Sequence, residues 1–168
     1  AIYEGNMSVV RVLFGWGADV SMTNNNGRNL LHVAAQTGNI EAINWVLNNS
    51  SIDVNSTSYD GTPPIAIALS NNYLEAAKLL RERGASLSIT NNKGTNSLHF
   101  ATNNGDLDCI KWVMKNSTID INAADDDGWT PIMLTLYNDE LALSTFLIEN
   151  GANIFAKHED GERAIDHG

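Results

Sequence analysis

Cysteine is almost missing from this sequence: Cys109 is the only one in 168 residues, so no intrachain disulfide can form. A chain without that staple fits a reducing compartment, and cytosol or nucleus is the expectation. Long apolar runs are missing too. None approaches the roughly 20 residues that a membrane-crossing helix requires, and the opening stretch AIYEGNMSVV lacks the basic-then-apolar pattern of a secretory leader. Positive charge is scarce, with 10 Lys and Arg against 20 Asp and Glu, a net charge of -10. The deficit is uneven: residues 1–84 hold 5 basic and 7 acidic side chains (-2), residues 85–168 hold 5 and 13 (-8). A surface of that sign repels phosphate backbones and anionic lipid, which excludes nucleic acid as a partner and favours a protein or peptide of basic or mixed charge. Asn-x-Ser/Thr triplets begin at Asn6, Asn48, Asn49, Asn55 and Asn116, but chance accounts for them in so asparagine-rich a chain.

What the chain has in quantity is periodicity. Glycines recur at Gly27, Gly61, Gly94, Gly128 and Gly161, so that a longer step alternates with one shorter by a single position. Each opens the same sequence of events: a small polar turn, an apolar helix-length segment, a short break, a second apolar helix and a polar extended stretch. A glycine also follows the second helix in VLFGWGADV, LLRERGASL and LIENGANIF. A left-handed C-terminal cap there suits a residue without Cβ. In INWVLNNSSIDVN (43–55) and IKWVMKNSTIDIN (110–122) a serine replaces that glycine and one residue is added, which accounts for the longer steps. These two segments agree at 8 of 13 positions, so the larger period is one long step plus one short, a duplicated pair of repeats.

The segments GRNLLHVAAQTGNIE, GTPPIAIALSNNYLE, GTNSLHFATNNGDLD and GWTPIMLTLYNDELA, with the tails GADV, GASL and GANI, resemble the ankyrin repeat over the whole chain. No copy carries the Thr-Pro-Leu-His turn of that family intact: the four read NLLH, PPIA, NSLH and TPIM. The resemblance implies an all-α solenoid of stacked helix-turn-helix units joined by β-hairpin-like loops. The expected division is one domain, with a partial repeat at 1–26, full repeats at 27–60, 61–93, 94–127 and 128–160, and the start of another at 161–168. Neither end reads as a polar capping repeat, so the expectation is a piece of a longer array.

Catalysis finds little support in these residues. His32 and His99 occupy the turn-histidine position, where the resemblance implies a structural hydrogen bond. The stretch HEDGE at 158–162 lacks the second histidine of a zinc-peptidase helix. Asp125, Asp126 and Asp127 hint at a calcium loop, but the positions that should carry acids are Ala123 and Leu134. A solvated turn is the better account. Neither a phosphate loop nor a nucleophile elbow is present, and Cys109 falls where other repeats carry Ala42, Ala76 and Leu143, a core position. The expectation is therefore no catalytic residue, no metal and no cofactor. Trp45 and Trp112 match Val12, Leu79 and Phe146 and read as packing between second helices, worth about 3–5 kcal/mol each if buried.

Binding is expected where the repeat leaves side chains without a structural job. In related ankyrin arrays these flank the turn glycine and end the first helix, lining a concave groove. On this chain they are Asn25, Asn26, Arg28, Gln36 and Thr37, then Tyr59, Asp60, Thr62, Ser70 and Asn71. The third and fourth sets are Asn92, Lys93, Thr95, Asn103 and Asn104, then Asp126, Asp127, Trp129, Tyr137 and Asn138, followed by Glu159, Asp160 and Glu162. Interface energy concentrates in aromatic and arginine anchors, so Trp129 ranks first, with Tyr137 and Tyr59. Asp126, Asp127 and Glu159 would supply charge complementarity, and the module would act as a monomeric scaffold or adaptor. The alternative is a regulatory or substrate-docking part of a larger enzyme or channel. The resemblance also raises hydroxylation of Asn55 in IDVN or Asn122 in IDIN, with the unmodified side chain the plainer expectation.

Overall fold

A computed structural model describes residues 11, 12, 14–103 and 105–156. Their elements are all helical, eight in order: α1 Leu30–Gln36, α2 Ile40–Asn49, α3 Pro64–Ser70, α4 Leu74–Glu82, α5 Ser97–Thr102, α6 Leu107–Asn116, α7 Pro131–Tyr137 and α8 Leu141–Glu149. Residues 11, 12, 14 and 15 are helical as well. The chain forms two compact units, Ala1–Ser86 and Leu87–Gly168, each holding two helix pairs.

In the first unit α1 packs on α2 and α3 on α4, and the second pair lies against the first through α1–α3 and α2–α4. The core between them is made by Leu31, Ala34, Ile43, Val46, Ile65, Leu69, Ala76 and Leu80, all at most 1% exposed. The second unit repeats the plan: α5 on α6, α7 on α8, and α5 on α7, around Leu98, Ile110, Val113, Ile132, Met133 and Leu147. Helices this short do not persist alone in water, so the pairwise burial is what holds them.

Two ways of starting the first helix alternate. Asn29 and Asn96 cap α1 and α5, each side-chain oxygen accepting two backbone N–H groups, while the histidine three residues on accepts the cap's own N–H. The helices α3 and α7 instead begin with Pro64 and Pro131. The N–H that proline lacks would have been unpaired at that position anyway. The broken Thr-Pro-Leu-His turn is thus two alternative solutions of one capping problem, recurring at the larger period. Thr130, just before Pro131, is 3% exposed and its hydroxyl finds no partner among the described residues. Asn96→Ala should therefore lower stability by about 1 kcal/mol, whereas Thr130→Val should be nearly neutral because no hydrogen bond is lost. Urea titration of the two variants checks the contrast.

At the other end, Gly17, Gly84 and Gly151 all adopt positive φ. This is the left-handed cap expected there. Ser50 and Ser117 end α2 and α6 differently, in extended backbone, each hydroxyl donating to a carbonyl of the last turn, Val46 at 2.7 Å and Val113 at 2.8 Å. Neighbouring loops are tied by asparagine: Asn55 donates from Nδ2 to the Gly84 carbonyl (3.2 Å) and accepts the Ser86 N–H (2.8 Å). Asn122 makes the same two bonds, to Gly151 (3.3 Å) and from Asn153 (2.7 Å).

Candidate functional site

The polar turns that open each repeat are tight hairpins. In all four, a residue at the first position, Asn24, Ser58, Asn91 or Asp125, exchanges backbone hydrogen bonds around a glycine three residues later, Gly27, Gly61, Gly94 or Gly128. Those glycines also have positive φ, a conformation in which an L side chain is strained. Asn24, Asn91 and Asp125 reinforce the turn with Oδ1, which accepts two further backbone N–H groups. Ser58 is too short to do this. Its hydroxyl donates to Asp60 Oδ1, and that oxygen also accepts the Thr62 N–H at 3.2 Å.

Adjacent hairpins are bonded within each unit. The Tyr59 N–H donates to the Asn26 carbonyl (3.0 Å), and the Asp126 N–H donates to the Lys93 carbonyl (2.9 Å). Turn residues one repeat apart are thereby held side by side. The buried histidines add a second tie. His32 Nε2 donates to the Thr62 carbonyl (3.2 Å) and His99 Nε2 to the Trp129 carbonyl (2.9 Å). Burial holds the His32 ring far below its ordinary 6.5, to about 4, only partly countered by the Thr62 bond, and lowers His99 in the same way. Both rings are neutral at pH 7 and structural, as their position implies.

The expected anchors stand as follows. Tyr59 is 71% exposed and its ring lies over Gly27, where a Cβ would collide with it. Tyr137 is 67% exposed. Trp129 corrects an expectation: it is half-buried rather than open, set edge-on to Tyr137 with ring centroids 5.5 Å apart at 77°. The indole therefore does have a packing purpose, within its own repeat. Arg28 occupies the position of Trp129 in the first repeat and Gln36 that of Tyr137, and they meet too, Nη1 donating to Oε1 at 3.3 Å. The residue after the turn glycine and the one ending the first helix thus form a side-chain pair in both repeats.

Thr62 is 5% exposed, so it faces the interior and not a groove. Asp60 is exposed but committed to its own turn. Burial alone would raise its carboxyl, yet the Ser58 hydroxyl, the Thr62 N–H, the Thr62 side chain and the nearby Arg28 together bring it below the usual value. Asp125, which the sequence placed in a solvated acidic turn, shapes that turn with its Oδ1, while Asp126 and Asp127 are exposed at the tip. Lys93, Asn103 and Asn138 are exposed as well. Tyr59, Asp60 and Arg28 belong to the first unit, and Lys93, Asn103, Asp126, Asp127, Trp129, Tyr137 and Asn138 to the second. Asn104, Glu159, Asp160 and Glu162, with the stretch 158–162, lie outside the described residues.

Trp45 and Trp112 are half-buried, Trp45 meeting the Phe14 ring edge-on at 5.2 Å. Their full burial was the condition for a large loss on truncation, and it is not met. Cys109 is buried in α6. No cluster of three or more His, Cys, Asp or Glu suited to a metal occurs among the described residues, and no described helix is long and apolar enough to cross a membrane.

A family model described as "Ankyrin repeats (3 copies)" matches residues 1–91 and 83–158. The human protein "Transient receptor potential cation channel subfamily A member 1" is 27% identical over 161 residues, covering 92% of this chain and 14% of that protein. "Alpha-latrotoxin-Lh1a" of Latrodectus hasselti is 31% identical over 133 residues, covering 78% of the chain and 10% of the toxin. "E3 ubiquitin-protein ligase KEG" of Arabidopsis thaliana is 25% identical over 164 residues, 90% of the chain and 10% of the ligase. The chain spans 10% to 14% of the length of these curated relatives.

Proposed function

The chain belongs to the ankyrin repeat family, whose repeats generally mediate protein–protein interaction, and from that premise we propose that it is a non-catalytic binding module for a basic or mixed-charge protein or peptide. The observation that carries the finer reading is the Trp129–Tyr137 pair. Stacking fixes the indole edge-on to a tyrosine that is itself 67% exposed, so a preformed aromatic surface stands beside the exposed Asp126 and Asp127. Aromatic side chains that are already ordered lose little freedom on binding and make effective anchors. The two carboxylates would mainly speed association and select a cationic neighbour.

A native extract passed over the immobilised chain supplies the partner for the test. Trp129→Ala should weaken its binding about tenfold, roughly the lower bound for a hot-spot aromatic, while leaving the far-ultraviolet circular dichroism unchanged. Raising the salt towards about 1 M, where screening acts over about 3 Å, should slow association. A partner indifferent to both changes would refute the reading.

The second reading, a regulatory or substrate-docking part of a larger protein, is favoured by the matches to a channel and a ubiquitin ligase of which the chain covers only 14% and 10%. The binding chemistry is the same in both readings. The sequence flanking this chain in its parent distinguishes them, since a catalytic or channel segment there would favour the second.

A further inference from the structure

In the first unit the two bonded hairpin tips enclose an open cavity of about 210 Å³ lined by Asn25, Asn26, Arg28, Tyr59 and Asp60. Small-molecule sites begin at roughly 300 Å³, so this one is sized for a side chain of a partner. Of its two charged residues, Arg28 is incompletely satisfied. Arg28 uses Nη1 on Gln36, while its Nε is shut off from water and has no acceptor among the described residues. Asp60 uses Oδ1 for the Ser58 hydroxyl and the Thr62 N–H, and the Thr62 side chain also hydrogen-bonds its carboxyl, which keeps its negative charge at the cavity. The two lie close enough to influence each other's charge, yet no ion pair within 4 Å joins them.

Opposite charges that face one cavity without closing on each other leave space for a group with an acceptor at one end and a donor at the other. A carboxylate would satisfy Arg28 but be repelled by Asp60. An ammonium would do the reverse. A primary amide carries a carbonyl oxygen and two N–H donors on one planar, neutral group, and the Tyr59 ring offers its methylene stem an apolar wall.

We propose that the cavity between Arg28 and Asp60 seats the side-chain amide of a glutamine or asparagine in the bound protein, carbonyl towards the guanidinium and NH2 towards the carboxylate. This rests on the reading of the chain as a protein-binding module, and it adds a neutral, donor–acceptor determinant in the first unit to the cationic one assigned to the second.

The test follows the Arg28 Nε–Hε resonance in a nitrogen-15 spectrum of the whole chain. The probes are N-acetyl-glutamine N-methylamide and the glutamate and lysine compounds with the same caps. The glutamine probe should shift the resonance saturably and bind about tenfold more tightly than either charged analogue. Asp60→Asn keeps an oxygen for the turn and removes the charge, so it should turn the preference towards glutamate. Tighter binding of glutamate or lysine by the parent chain, or no saturable shift with any probe, overturns the proposal. This outcome is separable from that of the proposed function. Loss of partner binding in Trp129→Ala reports on the second unit alone, and saturation by the glutamine probe reports on the first.

Discussion

Lowering the pH from 7 to 5 should cost the first unit about 2 kcal/mol of stability through a single buried histidine. The cause is His32, fully buried, held neutral with its folded-state value near 4 against about 6.5 when unfolded. Between those limits the unfolded chain binds a proton that the folded chain refuses, so stability falls as the pH falls. The contribution is intact above 6.5 and fully lost below 4, at about 1.4 kcal/mol for each pH unit between. His99, also displaced downwards by burial, acts with the same sign in the second unit. Asp60 and Asp19 are displaced below the ordinary carboxylate value, so whatever they contribute is lost only in more acid solution. Urea midpoints at pH 7 and pH 5 measure the effect. Equal midpoints, or a rise at pH 5, would contradict it. The consequence is specific to repeats, because each ring donates to a carbonyl one repeat further on. Protonation adds a buried charge at the joint between two hairpins, and the joints should loosen first.

The fold could be read from the sequence because its constraints are local and recur. A glycine is needed wherever the hairpin takes positive φ, and that need repeats at Gly27, Gly61, Gly94 and Gly128. The serine-for-glycine exchange at Ser50 and Ser117 was visible because it adds a residue and shifts the period. Other features left no such trace. Asn72 and Asp139 adopt φ of 60° and 58°, the left-handed conformation that Gly38 and Gly105 have in the other repeats. Asparagine and aspartate tolerate that region through their short polar side chains, so the repeat position hides its requirement behind different letters.

The candidate site was less legible, for a physical reason. A position with no duty in the repeat pattern can still acquire one from its neighbours. Asp60 replaces the turn oxygen that Ser58 cannot supply, and Trp129 packs on Tyr137 because the residue after the turn glycine meets the end of the first helix. Arg28 and Gln36 show the same meeting in hydrogen-bonded form. Asn55 and Asn122 repeat at the larger period, and so do Asp60 and Asp127 at the tips, whereas Tyr59 corresponds to Asp126 and Arg28 to Thr95 at the same interval.

Leu80→Ala should destabilise the first unit by about 3 kcal/mol and Trp45→Ala by less, although the tryptophan removes more than twice as many atoms. Leu80 is 0% exposed in α4, a helix that packs on α3 and on α2. Its truncation forfeits a full transfer energy and adds the cost of the cavity that is left. Trp45 lies on α2 with part of its ring in solvent, and its edge contact is to Phe14, itself 37% exposed. Water can fill the space it vacates, which removes the cavity term and leaves only the buried fraction of the ring plus an aromatic contact of about 0.5–1.5 kcal/mol. Urea unfolding of both variants, read by circular dichroism because the second also removes a fluorophore, gives the comparison directly. A larger loss for Trp45→Ala would mean that the indole, and not the leucine layer, joins the two helix pairs, and the packing described for the unit would be wrong at its centre.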